Sequence, residues 1–165
     1  MNVLVAYYSR TGYNKKLVNE LVAKLGCDVE RIIDTVNRKG FWGWLKSGYQ
    51  AYRKKMSIIE PTKKDPSSYD LVVICYPFWS GLMPPPMRTY LSTNKNKFKR
   101  IALISISGRG KGNGKAVPDF EAATGKESSA TLILSRLDIR RSGYEQKLQE
   151  FVESINMLQS QSQAI

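Results

Sequence analysis

Three runs of aliphatic and aromatic residues limit what this chain can fold into. Residues 3–8, 69–76 and 101–106 carry hardly a polar side chain beyond Asp70 and Ser105. None of them alternates polar with apolar positions, so neither face of such a strand suits water. Strands of this kind belong inside a parallel sheet whose two faces are both covered. Parallel neighbours need crossover connections of about a dozen residues or more, usually helical.

Helical patterns stand where those crossovers fall. Leu17, Val18, Leu21, Val22 and Leu25 recur at helical spacing from Lys15 onward, with Asn14 suited to the N-cap and Gly26 to the stop. Residues 28–33 begin by alternating polar and apolar side chains, as a half-covered strand does. In residues 38–55, Phe41, Trp42, Trp44, Leu45, Tyr49 and Tyr52 lie among Arg38, Lys39, Lys46, Arg53, Lys54 and Lys55, without an acid. That segment stands where a crossover helix is required, its aromatic residues expected on the sheet; its composition also suits peripheral contact with a membrane or an acidic partner. Pro84, Pro85 and Pro86 lead into a short helix through Leu91. A helix over 118–124 closes at Gly125, and residues 129–134 form the last strand. The final helix, opened by Ser142, presents Tyr144, Leu148, Phe151, Val152 and Ile155 on one face, and residues 159–165 are expected to fray. Five strands alternating with helices predict an α/β fold, a doubly wound five-stranded parallel sheet, in one domain over 1–158.

Composition removes several kinds of chemistry. There is no histidine among the 165 residues, so every His-based triad, general base and metal site is excluded. Cys27 and Cys75 stand far apart with no ligand partners nearby, which predicts inert thiols in a reducing compartment and no metal. No apolar run reaches the ~20 residues of a bilayer span. Residue 2 leads straight into the first strand, so a cytoplasmic protein is expected. The net charge of +12 favours anionic partners, such as a phosphate-bearing ligand or an acidic redox protein.

The chemistry collects in three loops, 9–14, 77–83 and 107–114, each following a strand. All three therefore lie at one edge of the sheet, where doubly wound folds bind ligands. The first offers the hydroxyls of Ser9 and Thr11, a glycine at 12 and a helix N-terminus, a ready anion site. The second offers the flat faces of Phe78 and Trp79. The third offers backbone N–H and C=O groups among its glycines. Other nucleotide and phosphate motifs fail letter by letter. A P-loop ending at Gly114 and Lys115 would need glycine at Arg109 and a hydroxyl at Ala116, and the G-x-G-x-x-G register meets Asn113. A receiver domain needs acids where Tyr7 and Tyr8 stand, and neither cysteine has an arginine six positions on.

Ser9, Thr11, Gly12 and Asn14 in this spacing after the first strand resemble the phosphate loop of the flavodoxin family, whose last position is usually Ser or Thr. Pro77, Trp79 and Gly81 resemble its aromatic flavin loop, and Ser107 with Gly108 its third loop. The resemblance spans residue 3 to about residue 155. It implies strand order 2-1-3-4-5 and bound FMN. Ser9, Arg10, Thr11, Gly12, Tyr13 and Asn14 would then meet the phosphate. Pro77, Phe78, Trp79, Ser80, Gly81, Ser107, Gly108, Arg109 and Gly110 would surround the ring. The family carries electrons between redox partners, and related branches reduce quinones or porphyrinogens with a nicotinamide donor. Ordinary members are acidic. This basic chain, with Arg109 and Lys111 in the third loop, is expected to hold a flavin of less negative potential and to meet an acidic redox protein or a small acceptor such as a quinone. Nucleic acid is not an expected partner.

Overall fold

The computed structural model describes residues 1–10, 12–36, 49, 52–78, 82–108, 113–141 and 143–163. Five strands, β1 (Val3–Tyr7), β2 (Asp28–Arg31), β3 (Leu71–Phe78), β4 (Arg100–Ser107) and β5 (Thr131–Ser135), form one sheet in the order β2-β1-β3-β4-β5. Every pairing is parallel. The described helices are α1 (Tyr13–Leu25), α2 (Pro85–Asn94), α3 (Ala116–Thr124), α4 (Arg136–Arg140) and α5 (Glu145–Gln163).

Both faces of the central strands are dry. Val3, Val5 and Tyr7 of β1 share one core with Leu71, Val73 and Cys75 of β3, packed under Leu17, Val18 and Leu21 of α1 and Leu148, Phe151 and Ile155 of α5. Leu4 and Ala6 alternate with them and face a second core with Val72, Ile74 and Tyr76, under Met87, Tyr90 and Leu91 of α2 and Phe120 of α3. The unbroken apolar runs follow from this double burial. At the sheet's edge, β2 is short and half exposed. Its buried Glu30 accepts hydrogen bonds from the backbone N–H groups of Lys63 and Lys64, at 2.9 and 2.8 Å.

Several boundaries differ from those expected. The first helix begins at Tyr13, not Lys15, and Gly12 is its N-cap residue, at φ 88° and ψ −19°. Asn14 lies inside the helix and folds its side chain back to the loop instead of capping. β2 stops at Arg31, although the Ile32 N–H still reaches the Tyr7 carbonyl at 2.8 Å. β4 includes Ser107. β3 continues through Pro77 and Phe78, where Pro77 pairs with Ile106. A proline is tolerated there because β1 has already ended. The Cys75 carbonyl accepts from Tyr8 N–H on the β1 side, so position 77, two residues on, directs its missing N–H to that same vacated side. The stretch after β5 forms α4 before the last helix, which runs through Gln163. Most of 38–55 lies outside the described residues.

Candidate functional site

β1, β3 and β4 are neighbours, and the strand order reverses between β1 and β3. The loops after these three strands leave the same edge at that switch point.

The first loop is braced from within. The Ser9 hydroxyl accepts the Gly12 N–H at 3.2 Å, and the buried Asn14 amide donates to the Tyr8 carbonyl at 2.8 Å. The first intrahelical bond of α1 runs from Lys16 N–H to the Gly12 carbonyl at 3.0 Å, so the N–H groups of residues 13–15 have no intrahelical acceptor. Gly12 supplies the positive φ that lets the chain turn into the helix, and nothing lies within 4 Å of where a Cβ would sit. A backbone that is bare, exposed and positively polarised suits an anion. The first turn of α1 holds no acid. Lys16 lies 5.8 Å from the centre of the Tyr144 ring, which gives it a partner without any anion; Lys15 is exposed. Tyr13 lies under the Arg136 guanidinium, at 5.6 Å. Arg10 is half-buried. Thr11 lies outside the described residues.

Phe78 and Ser107 are direct cross-strand neighbours at the ends of β3 and β4, as are Tyr76 and Ser105 one step deeper. Phe78 and Ser107 are both buried, and the Ser107 hydroxyl has no partner there. Gly108 is exposed with open space around it. Pro77 is half-buried. Trp79, Ser80, Gly81, Arg109 and Gly110 lie outside the described residues, as does Lys111, so their expected positions around the site are not part of this geometry.

Sequence reasoning missed the group that holds the second loop. Asp119, buried in the first turn of α3, accepts the Met83 N–H at 2.9 Å and the Arg88 guanidinium at 2.8 and 3.0 Å. Lys54 approaches it at 3.7 Å. The carboxylate thereby ties the exit of the 77–83 loop to α2, α3 and the chain at 54. Beneath it, the Tyr76, Ser105 and Ser107 hydroxyls and Arg88 Nε are buried without hydrogen-bond partners. Burial, with Asp119 nearby, pushes the Tyr76 phenol far up, so it stays protonated. Burial likewise keeps the Cys75 thiol protonated and inert. Asp119 stands 31 positions from Arg88, and no short motif marks such a pair; the available signal was an acid one residue after Pro118 in a helix start.

Similar architecture occurs in solved structures. A flavoprotein from Lactobacillus acidophilus, solved in complex with FMN, is 22% identical with a TM-score of 0.67, over 87% of this chain and 97% of that one. Oxidised flavodoxin 2 from Bacillus cereus is 12% identical with a TM-score of 0.56, over 95% and 99%. The chain has the flavodoxin-like fold. The rubredoxin oxygen:oxidoreductase of Desulfovibrio gigas carries the same fold as part of a longer chain: this chain matches it over 99% of its own length and 37% of the other's, at 14% identity and a TM-score of 0.58. No protein-family model matches the chain, and no curated protein sequence matches it. Among the described residues, no helix is long and apolar enough to cross a membrane, and no cluster of His, Cys, Asp or Glu could hold a metal ion.

Proposed function

We propose that this flavodoxin-like protein binds FMN at the carboxyl edge of β1, β3 and β4 and carries electrons between redox partners. The observation that carries the proposal is the convergence of three loops at one switch point, the first of them a bare, glycine-capped helix N-terminus. The FMN-bound flavoprotein with the same fold supports it. The residues present fit the group. The open space at Gly12 and the free N–H groups of α1 suit a phosphate, and the unpartnered Ser107 hydroxyl lies at the same edge.

FMN, when bound, supplies the redox chemistry itself. The chain's part is to bind and orient it. Ser9 and Asn14 hold the first loop in shape. Asp119 anchors Met83 and so limits the freedom of the aromatic loop before it. The apolar core under Phe78 excludes water from the strand ends. Thr11, Trp79, Ser80, Gly81, Arg109 and Gly110 complete the site in this proposal.

The test is an FMN titration of the apo-protein, followed by quenching of flavin fluorescence, alongside the Thr11→Val/Gly12→Val double variant. The wild type should bind, and the double variant should lose retention without unfolding. A double variant that stays yellow means that this loop is not the phosphate site. Steady quinone turnover with NAD(P)H and this protein alone would replace the carrier by an oxidoreductase.

A further inference from the structure

Of the exposed large hydrophobic side chains among the described residues, Tyr49, Tyr52, Met56 and Ile58 come from ten consecutive positions. Their fractional exposures are 57%, 71%, 59% and 74%. Hydrogen-bonded chain presents Met56 and Ile58. Ser57 is held from both sides: its N–H donates to the Thr89 hydroxyl at 2.9 Å, its carbonyl accepts from that hydroxyl at 2.7 Å, and its own hydroxyl donates to Asp34 at 2.6 Å. The Ile58 carbonyl accepts from Thr35 N–H at 3.1 Å, and the Glu60 N–H donates to the Ile33 carbonyl at 2.9 Å. Ile59 packs against the core beneath α2 and α3. In an extended chain, side chains alternate. With Ser57 and Ile59 turned inward, Met56 and Ile58 are turned out.

This strap lies beside the candidate site. Asp119 sits in the first turn of α3 and Thr89 in the second turn of α2, and both helices begin at the carboxyl edge of the sheet. Lys54 reaches Asp119, the residue that pins Met83, and Tyr52, Arg53, Lys54 and Leu82 line an open depression of about 470 Å³. The strap is also one-sided in charge. Arg53, Lys54 and Lys55 lie within it, and it holds no acidic residue. Lys55 stands over the Tyr49 ring at 5.8 Å, keeping a cation among the aromatic residues.

We propose that the strap 52–58, with Tyr49 beside it, is a docking surface for an acidic redox protein. Tyrosine, methionine and arginine, common in the middle of protein interfaces, stand here at the rim of the redox site, and the basic residues around them complement an acidic face. A membrane surface fits less well. Interfacial anchoring uses the continuous apolar face of a helix, whereas Met56 and Ile58 project singly from an extended strap. The purpose of the docking rests on the FMN proposal above; the binding itself is measured apart from it.

The experiment titrates the full chain, with and without added FMN, with an acidic [2Fe–2S] ferredoxin at several salt concentrations. Arg53→Glu/Lys55→Glu should weaken binding by about tenfold or more and flatten its salt dependence. Tyr52→Ser and Ile58→Ser should each weaken it severalfold with the salt dependence unchanged. The control, Lys95→Glu/Lys126→Glu, reverses charges at the opposite edge of the sheet and should change binding less than about twofold. Equal weakening by the control would reduce the effect to net charge and overturn the proposal. So would strap variants that bind as the wild type does. Strap-dependent binding to vesicles containing phosphatidylserine, with no binding to the ferredoxin, would overturn it in favour of a lipid surface. Docking without any FMN uptake by the same protein would support the surface and overturn the FMN proposal alone.

Discussion

Asp119 joins segments that are far apart in the chain, and its worth follows from its burial. It faces Arg88 at 2.8 Å with both side chains largely shielded from water, and it also accepts a backbone N–H. Removing one charge of such a pair leaves the other uncompensated, a loss on the order of 3 kcal/mol. Asp119→Asn should therefore lower the free energy of unfolding by about that amount, read from urea denaturation. The same variant should weaken FMN uptake, because a neutral amide oxygen holds the Met83 N–H less firmly than the carboxylate does. Arg88→Met/Asp119→Leu should recover much of the stability, since apolar replacement of a buried pair is often neutral. It should not recover the uptake, since leucine cannot accept the Met83 N–H. Recovery of both together would show that Asp119 acts on the loop only through global stability. Gly12 is the converse case. Nothing crowds it, so a larger side chain there acts through its backbone angle, and a β-branched residue at φ 88° is strained.

The short helix α4 illustrates what a single cap does. Ser135, the last residue of β5, accepts the Asp138 N–H at 3.1 Å while Asp138 accepts the Ser135 N–H at 2.6 Å and its hydroxyl at 2.7 Å. A five-residue helix has too few internal bonds to persist alone, so this reciprocal cap and the burial of Ile139 hold it. Ser135→Ala should cost about 1 kcal/mol. The backbone N–H and hydroxyl of Ser135 also hold the Asp138 carboxyl below its usual range. A carboxyl whose pKa is depressed on folding stabilises the fold above its unfolded value, about 4, and that contribution disappears as pH falls through the folded value. Asp138→Asn should therefore flatten the stability profile on the acid side, in denaturation series run between about pH 6 and pH 3. The wild type should lose more stability than the variant over that range. Nothing in the sequence pattern marked α4, because five residues give too little periodicity to separate a helix from a loop. The long elements were legible for the opposite reason. Double-sided burial in β1, β3 and β4 leaves an apolar run that survives any local noise, and α1 and α5 show their buried stripes. Strand ends were not legible at Pro77 and Ser107, where pairing with β4 outlasts the apolar pattern. The candidate site was legible through its loops, each signalled by glycine, hydroxyl or aromatic residues after a strand. Its support was not: Asp119 with Arg88, and Tyr144 with Glu20, which share a 2.6 Å hydrogen bond across 124 positions, are contacts that only the folded chain creates.

At the scale of the whole molecule, the net charge of +12 makes a prediction that no single residue does. Many of the basic side chains are exposed, and some are already paired, as Lys64 is with Asp28 and Lys99 with Asp70. The surplus nevertheless surrounds the site with a positive potential, which favours any step that adds negative charge to a bound group. Under the proposed function, electron uptake by FMN is such a step. A basic chain should thus raise the midpoint potential, and the contribution of distant charges should fade as salt shortens the screening length from about 30 Å at 0.01 M to about 10 Å at 0.1 M. The sign is the discriminating quantity. In a potentiometric titration of the FMN-loaded protein, added salt should move the midpoint to more negative values, whereas in a protein of net negative charge the same salt moves it upward. A midpoint that does not respond to salt would assign the tuning to groups in contact with the ring, within a few ångströms and beyond the reach of screening. Charge reversal at the strap 52–58 separates the two sources further. Arg53→Glu/Lys55→Glu lowers the net charge by four units near the rim, so it should lower the midpoint at low salt and leave it nearly unchanged at high salt.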